Sequence, residues 1–312
     1  MTGLAALAPP RTPARPGPGP MPEAALRSLD LAVRQRVDGM LSGEFRSSHL
    51  GVATELAQVR PYQPGDDVRQ MDWLATARTN EPHVRVHVAE RALTTWLLLD
   101  RSISMQFGTA DRRKADVAEG VALALGQVAS RRGNRLGVIT TGSGAAASRR
   151  PRQGRAGLLA ALLALRMDEQ PASGPHTGLR EGFEHASRVA RQRSLLVVVS
   201  DLRGPRDWTV PLTRLSARHD VLMIEVRDPR EERLEDAGEL TLVDPETGEQ
   251  VRVDTRNRAL RARYAEAAAA DRAEVAAEVR RSGADHVVLS TRGEWLRPLL
   301  VSLAKRERRA IS

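Results

Sequence analysis

Trp96-Leu97-Leu98-Leu99-Asp100-Arg101-Ser102-Ile103-Ser104-Met105 is the stretch on which the reading of this chain turns. Four apolar residues run without interruption and end on a carboxylate, and two serines follow, spaced two apart. A short, continuously apolar run fits a strand covered on both faces, as in a parallel sheet. Leu136–Thr140, Leu195–Ser200 and Val221–Val226 repeat that pattern, and His286–Leu289 adds a late fifth run. Helical periodicity lies between them, at Lys114–Ser130, Ala156–Leu165, Leu179–Arg191, Trp208–Ala217 and Arg256–Arg281. A final amphipathic helix is expected over Glu294–Arg308. Strands alternating with helices predict an α/β fold, a doubly wound, mostly parallel, Rossmann-like sheet with right-handed crossovers and helices on both faces.

Around this frame, Leu240–Val243 and Gln250–Val253 flank Asp244-Pro245-Glu246-Thr247-Gly248 and predict an inserted β-hairpin. Val84–Val88 alternates valine with polar residues, which suggests a half-exposed strand at the sheet edge. Upstream, Glu23–Val37 reads as a helix, and a proline-, glycine- and charge-rich stretch to Asn80 reads as a long irregular segment. Such segments inside compact domains are usually functional or disordered, and the mix of Tyr, Trp, Arg and Asp here argues for order. Residues 1–22, interrupted by Pro9, Pro10, Pro13, Pro16, Pro18 and Pro20, are expected to form a disordered tail. The organisation is therefore a tail (1–22), an N-terminal helix and irregular segment packed on the sheet (23–90), and the α/β domain (91–312).

Composition excludes several classes. The chain has no cysteine, so disulfides and thiolate metal sites are out. No window is apolar enough to span a bilayer, the opening lacks the features of a signal peptide, and a cytoplasmic location is expected. Lys and Arg outnumber Asp and Glu by 48 to 39, a formal charge of +9, which invites a nucleic-acid reading. The arginines are nevertheless interleaved with acids, and aromatics at 3% leave few platforms for stacking bases.

In an open α/β sheet, ligands bind beyond the carboxyl ends of the strands. Asp100 sits at such an end, and in an extended loop the Ser102 and Ser104 hydroxyls face one side. One carboxylate and two hydroxyls form a hard oxygen set suited to Mg²⁺ or Mn²⁺. Asp201, after Leu195–Ser200, and Thr177, in the loop before a helix starting near Gly178, are further candidates to converge there. Each has a plain alternative. Asp100 and Thr177 are good helix caps, the serines good turn formers, and Asp201 a loop opener.

The Asp-x-Ser-x-Ser, Thr, Asp arrangement resembles the metal-ion-dependent adhesion site of von Willebrand factor A domains. Tyr62-Gln63-Pro64-Gly65-Asp66-Asp67-Val68-Arg69-Gln70-Met71-Asp72-Trp73, with Ala77-Arg78, resembles the signature of the bacterial family called domain of unknown function 58. In that family the segment precedes Asp-x-Ser-x-Ser-Met, as at Asp100–Met105, and Asp228-Pro229-Arg230-Glu231 also fits. The likeness spans roughly Gly39 to Ser290. It implies a von Willebrand factor A-like fold and a metal-dependent protein-binding module. It also implies work alongside a MoxR-type AAA+ ATPase in assembling or activating other protein complexes. Many relatives carry membrane helices, which this sequence does not show, and Pro175-His176 stand where adhesion-type sites often have Gly-Gly before the threonine.

Two rival functions follow from the same residues. A Mg²⁺-dependent, phosphatase-like hydrolase would use Asp100 as nucleophile, but Ser102 stands where such sites need a second carboxylate, and no His, Cys or Lys in the nearby motifs replaces it. An arginine-rich nucleic-acid binder is the other. In the signature segment, Arg60, Tyr62, Asp66, Asp67, Arg69 and Asp72 form either a partner-binding surface or a salt-bridged clamp on the sheet anchored by Trp73. His83 and His87 have metal-pair spacing on a helix, yet their local pattern is a strand. Gly142-Ser143-Gly144 reads as a flexible turn.

Overall fold

The structure is a computed structural model, and it describes residues 55–88, 94–130, 135–142, 144–154, 178–243 and 249–305, with positions 17–19, 22–24, 26–28, 31, 156, 157 and 159. The helix expected at 156–165, the loop ending at Thr177, the 244–248 turn and the last residues of the helix expected at 294–308 fall largely or wholly outside them. Two compact units separate, one of residues 39–92 and one comprising the remainder.

The smaller unit is not irregular. Strand β1 (Glu55–Pro61) and strand β2 (His83–Val88) pair antiparallel, and helix α1 (Trp73–Thr79) lies between them in sequence. The strand expected at the edge of the main sheet thus belongs to a separate two-stranded sheet. Its connecting loop is organised by carboxylates. Asp66 takes both Arg60 guanidinium nitrogens (2.7 and 2.8 Å) and the Gln63 N–H, and Arg60 holds its carboxyl below the ordinary range. Asp67 accepts from Arg69 N–H, and Asp72 caps α1 through Leu74 and Ala75 N–H. Trp73 is 69% exposed, and Val68 and Leu74 are exposed as well.

The larger unit is built on a six-stranded sheet of β3 (Thr94–Asp100), β4 (Arg135–Thr141), β5 (Ala147–Gln153), β6 (Leu195–Ser200), β7 (Asp220–Arg227) and, after an antiparallel hairpin of β8 (Glu239–Val243) and β9 (Gln250–Asp254), β10 (Asp285–Ser290). The order is β10-β7-β6-β3-β4-β5, parallel except for β5, which runs antiparallel along β4. The helices are α2 (Lys114–Ser130), α3 (Leu179–Val189), α4 (Thr209–Ser216), α5 (Arg258–Arg281) and α6 (Leu296–Lys305).

Alternation along each strand distributes the core. Trp96, Leu98, Ile139, Leu196, Val198, Val221 and Met223 face α3, α4 and α5 through Phe183, Leu212, Leu215, Val275 and Val279. The intervening residues, among them Leu97, Leu99, Val197, Val199 and Ile224, are equally buried. On their side α2 meets β3, β4, β7 and β10 with Val117, Val121, Leu125 and Val128, one helical stripe. Gly137 lies opposite Trp96 in register, and a Cβ there would fall 2.5 Å from the indole, so the glycine makes room for the ring. Within the proline-rich stretch, Pro18 carbonyl accepts the Trp295 indole N–H at 2.7 Å.

This winding fixes where a ligand can bind. From β3 the chain passes to β4 on one side, then returns to place β6 on the other. The strand order therefore reverses between β3 and β6, and the crevice at such a switch point lies beyond their carboxyl ends.

Candidate metal centre

Asp100 ends β3 and Ser200 ends β6, with Asp201 next in the chain, so the switch point is lined by residues from two adjacent strand ends. Asp100 is buried, and each of its oxygens accepts a hydrogen bond. Its Oδ1 accepts the Ser102 N–H (2.8 Å) and its Oδ2 the Ser200 hydroxyl (2.5 Å). Burial first, and then the charge of Asp201, push its pKa up to about 6, against the hydrogen bonds from Ser200 and Ser102. The chain then turns through a short 3₁₀ helix, Ile103–Gln106, which sets the Ser102 and Ser104 hydroxyls 2.9 Å apart.

That spacing bears on whether the residues fit a divalent ion. In an octahedron with metal–oxygen bonds of about 2.0–2.1 Å, neighbouring ligand oxygens lie about 2.9 Å apart. The two hydroxyls have that separation, and a carboxylate offers about four acceptor positions, so Asp100 can take an ion beside the hydrogen bonds it already accepts. Among the described residues no group of three or more His, Cys, Asp or Glu could hold a metal, so an ion here would rest on hydroxyls and water as much as on carboxylate. The residues fit Mg²⁺ or Mn²⁺ in that form.

Asp201 is at the same rim but is turned to other partners. Its Oδ2 receives the Lys114 ammonium at 2.5 Å, its Oδ1 the Arg203 N–H at 3.2 Å, and its backbone carbonyl the Arg272 guanidinium at 3.0 Å. Lys114 also reaches Glu231 at 2.7 Å. A lysine from outside the nearby motifs thus stands at this rim. It opens α2, where helical periodicity marks the apolar face but not how deep a charge lies. Leu202, next to Asp201, takes a left-handed φ of 53° with its side chain buried, a conformation unusual for a branched residue and concentrated at functional sites. Thr177 lies outside the described residues; its neighbour Gly178 accepts the Thr141 hydroxyl at 2.8 Å through its carbonyl.

Four further residues shape the rim. Gly142 has φ of 100°, and a Cβ on it would sit 2.2 Å from Ser102 nitrogen and 2.8 Å from Asp100 Oδ1. It is a close-approach position rather than a loose turn. Ser200 reads in sequence as the last residue of a strand, yet its hydroxyl holds Asp100 and accepts from Leu202 N–H. Asp228 and Glu231 form a capping box on the turn after β7. Asp228, buried, also takes the Thr109 N–H and hydroxyl and the Thr291 hydroxyl, tying three loops of this edge together.

With this geometry in view, a family profile described as Protein of unknown function DUF58 matches residues 58–274, more than two thirds of the chain. The chain belongs to the DUF58 family. Uncharacterized proteins of Mycobacterium tuberculosis and Mycobacterium bovis are each 43% identical to it over 290 residues, covering 93% of this chain and 91% of theirs. Among solved structures it is similar in fold to BatB from Bacteroides thetaiotaomicron, at 15% identity and a TM-score of 0.46, covering 69% of this chain and 99% of that one. The SpRpn10 VWA domain gives 15% identity and a TM-score of 0.36 over 67% and 94% of the two chains. Similarity this low transfers no residue role. The described residues have the doubly wound, mostly parallel α/β layout that the sequence predicted, and no helix among them is long and apolar enough to cross a membrane.

Proposed function

We propose that this DUF58 protein is a binding module whose switch-point rim holds Mg²⁺ or Mn²⁺ on Asp100, Ser102 and Ser104. Thr177 and Asp201 complete the set, Asp201 through its place beside Asp100. A divalent ion bound there supplies a hard positive centre that a carboxylate from a partner protein can complete. The protein's own residues do the rest. Ser200 and the Ser102 N–H orient Asp100, Gly142 lets the serine loop close on it, and Asp228 fixes the surrounding turns.

The observation that carries this reading is the pair of hydroxyls 2.9 Å apart beside a buried strand-end carboxylate. Charge supports it: a buried Asp100 facing Asp201 is disfavoured as an anion and gains from a cation. A hydrolase reading finds less here. Burial holds the Asp100 pKa high, and Ser102 pairs with Ser104 rather than with a base. From family membership we take the partner to be a MoxR-type AAA+ ATPase, with this chain linking it to a client complex in the cytoplasm.

The test is capture of that ATPase by the full chain in Mg²⁺ and in EDTA. Capture should require the divalent ion, and Asp100→Ala should abolish it while circular dichroism shows an intact fold. Capture that persists in EDTA, or in folded Asp100→Ala, refutes the mechanism.

A further inference from the structure

Lys114 is the charged group at the rim that the divalent reading leaves unused. Its side chain is wholly buried, with the ammonium 2.5 Å from Asp201 Oδ2 and 2.7 Å from Glu231 Oε1. The Phe107 ring lies 5.8 Å away and adds a weaker cation–π contact. Burying a lysine is costly unless carboxylates replace the lost water, so the ammonium and its two acids form one unit. Arg203 reaches the same Glu231 oxygen, Nε to Oε1 at 3.4 Å.

Counting formal charges shows what this unit does to the rim. Asp100, Asp201 and Glu231 are set against Lys114 and Arg203, leaving a single negative charge. Without Lys114 the same rim would carry two, the charge that a dication neutralises. Asp201 is the carboxylate both cations would share.

We propose that Lys114 is a built-in cation that competes with a divalent ion for Asp201, keeps the rim's affinity low enough for exchange, and passes that exchange to the Asp228–Glu231 turn through Glu231. The inference rests on the divalent reading above and adds to it the residue that sets its strength. When the ion is bound, Lys114 leans on Glu231; when it leaves, Lys114 holds Asp201 in place and prevents two bare carboxylates from facing each other. The turn carrying Glu231 is thereby coupled to occupancy of the rim.

The experiment is Mn²⁺ titration of the full chain, reading free Mn²⁺ by electron paramagnetic resonance and Mg²⁺ by competition. The series is wild type, Lys114→Met, Glu231→Gln, Asp201→Asn and the Lys114→Met/Asp201→Asn double variant. Lys114→Met should tighten binding by roughly tenfold or more, since a unit charge within a few ångströms of the ion is removed from a poorly screened site. Glu231→Gln should loosen it by about threefold or more, because the ammonium then serves Asp201 alone. With Asn at 201 the effect of Lys114→Met should shrink to its through-space charge alone, a non-additivity a merely structural lysine would not show. Should Lys114→Met fail to fold, the sign of the Glu231→Gln effect decides. Wild-type binding with Lys114→Met unchanged or weaker, or with Glu231→Gln unchanged or tighter, overturns the role of Lys114 and leaves the divalent reading standing. No saturable binding in any variant overturns both.

Discussion

At Asp100, burial and the neighbouring charge of Asp201 raise the folded-state pKa from 3.8 to about 6. Neutral Asp100 therefore contributes stability that is fully present below pH 3.8 and is lost as pH rises through about 6. At neutral pH the ionised group is a cost, of order 2–3 kcal/mol at most. Asp100→Asn should accordingly melt higher than wild type at pH 7.5 in EDTA, with the gap closing below about pH 4; an unchanged or lowered melting temperature at pH 7.5 would contradict the burial argument. Gly142 makes the opposite case, since alanine there meets Ser102 nitrogen at 2.2 Å in a backbone conformation that disfavours a side chain. Gly142→Ala should lose about 2 kcal/mol or more in urea denaturation together with Mn²⁺ binding, whereas a neutral substitution would show that the loop is slack. Sequence made Asp100, Ser102, Ser104 and Asp201 legible because strand ends and serine spacing are local patterns. Ser200, Gly142, Lys114 and Glu231 act through distances closed only by the fold, and no spacing along the chain announces them.

The elements were readable wherever burial is symmetrical. β6, Leu195–Ser200, is apolar throughout because both faces are covered, and α2 shows its stripe at Val117, Val121, Leu125 and Val128. β5 escaped notice for the converse reason. Ala147–Gln153 is a largely exposed edge strand carrying arginines and Pro151, residues that guard an edge against further pairing and hide the strand pattern. β1 and α1 were obscured by the prolines and charges of the intervening loop, whose carboxylates cap and brace it. Between β3 and β4, Gly137 gives room to Trp96, so Gly137→Ala should destabilise by about 1–3 kcal/mol through overpacking, measured in urea; a loss below the error of that measurement would mean that the indole is free to move. On β7, burial alone would raise the pKa of Glu225, but hydrogen bonds from His286 and Arg227 and the charges of Arg227 and Arg272 bring it down from 4.5 to about 2. Its contribution, on the order of 3 kcal/mol, is present above pH 4.5 and lost as pH falls toward 2. Glu225→Gln should remove that part of the acid-side slope, and a slope identical to wild type would place the acid sensitivity elsewhere.

For the molecule as a whole, part of the positive charge is offset locally by ion pairs. Arg60, Arg206, Arg227, Arg261 and Arg272 are each paired with nearby carboxylates. The chain should therefore show no retention of duplex DNA at low salt, and binding that falls steeply with salt would reverse that view. The proposed site lies instead where the strand order reverses and two strand ends bring Asp100 and Asp201 together. Crystals of the full chain soaked in Mn²⁺ test this most directly, through the anomalous scattering of the ion. A peak is expected at bonding distance from the Ser102 and Ser104 hydroxyls and beside Asp100; Mn²⁺ peaks only elsewhere, or none at saturating concentration, would refute the proposed site.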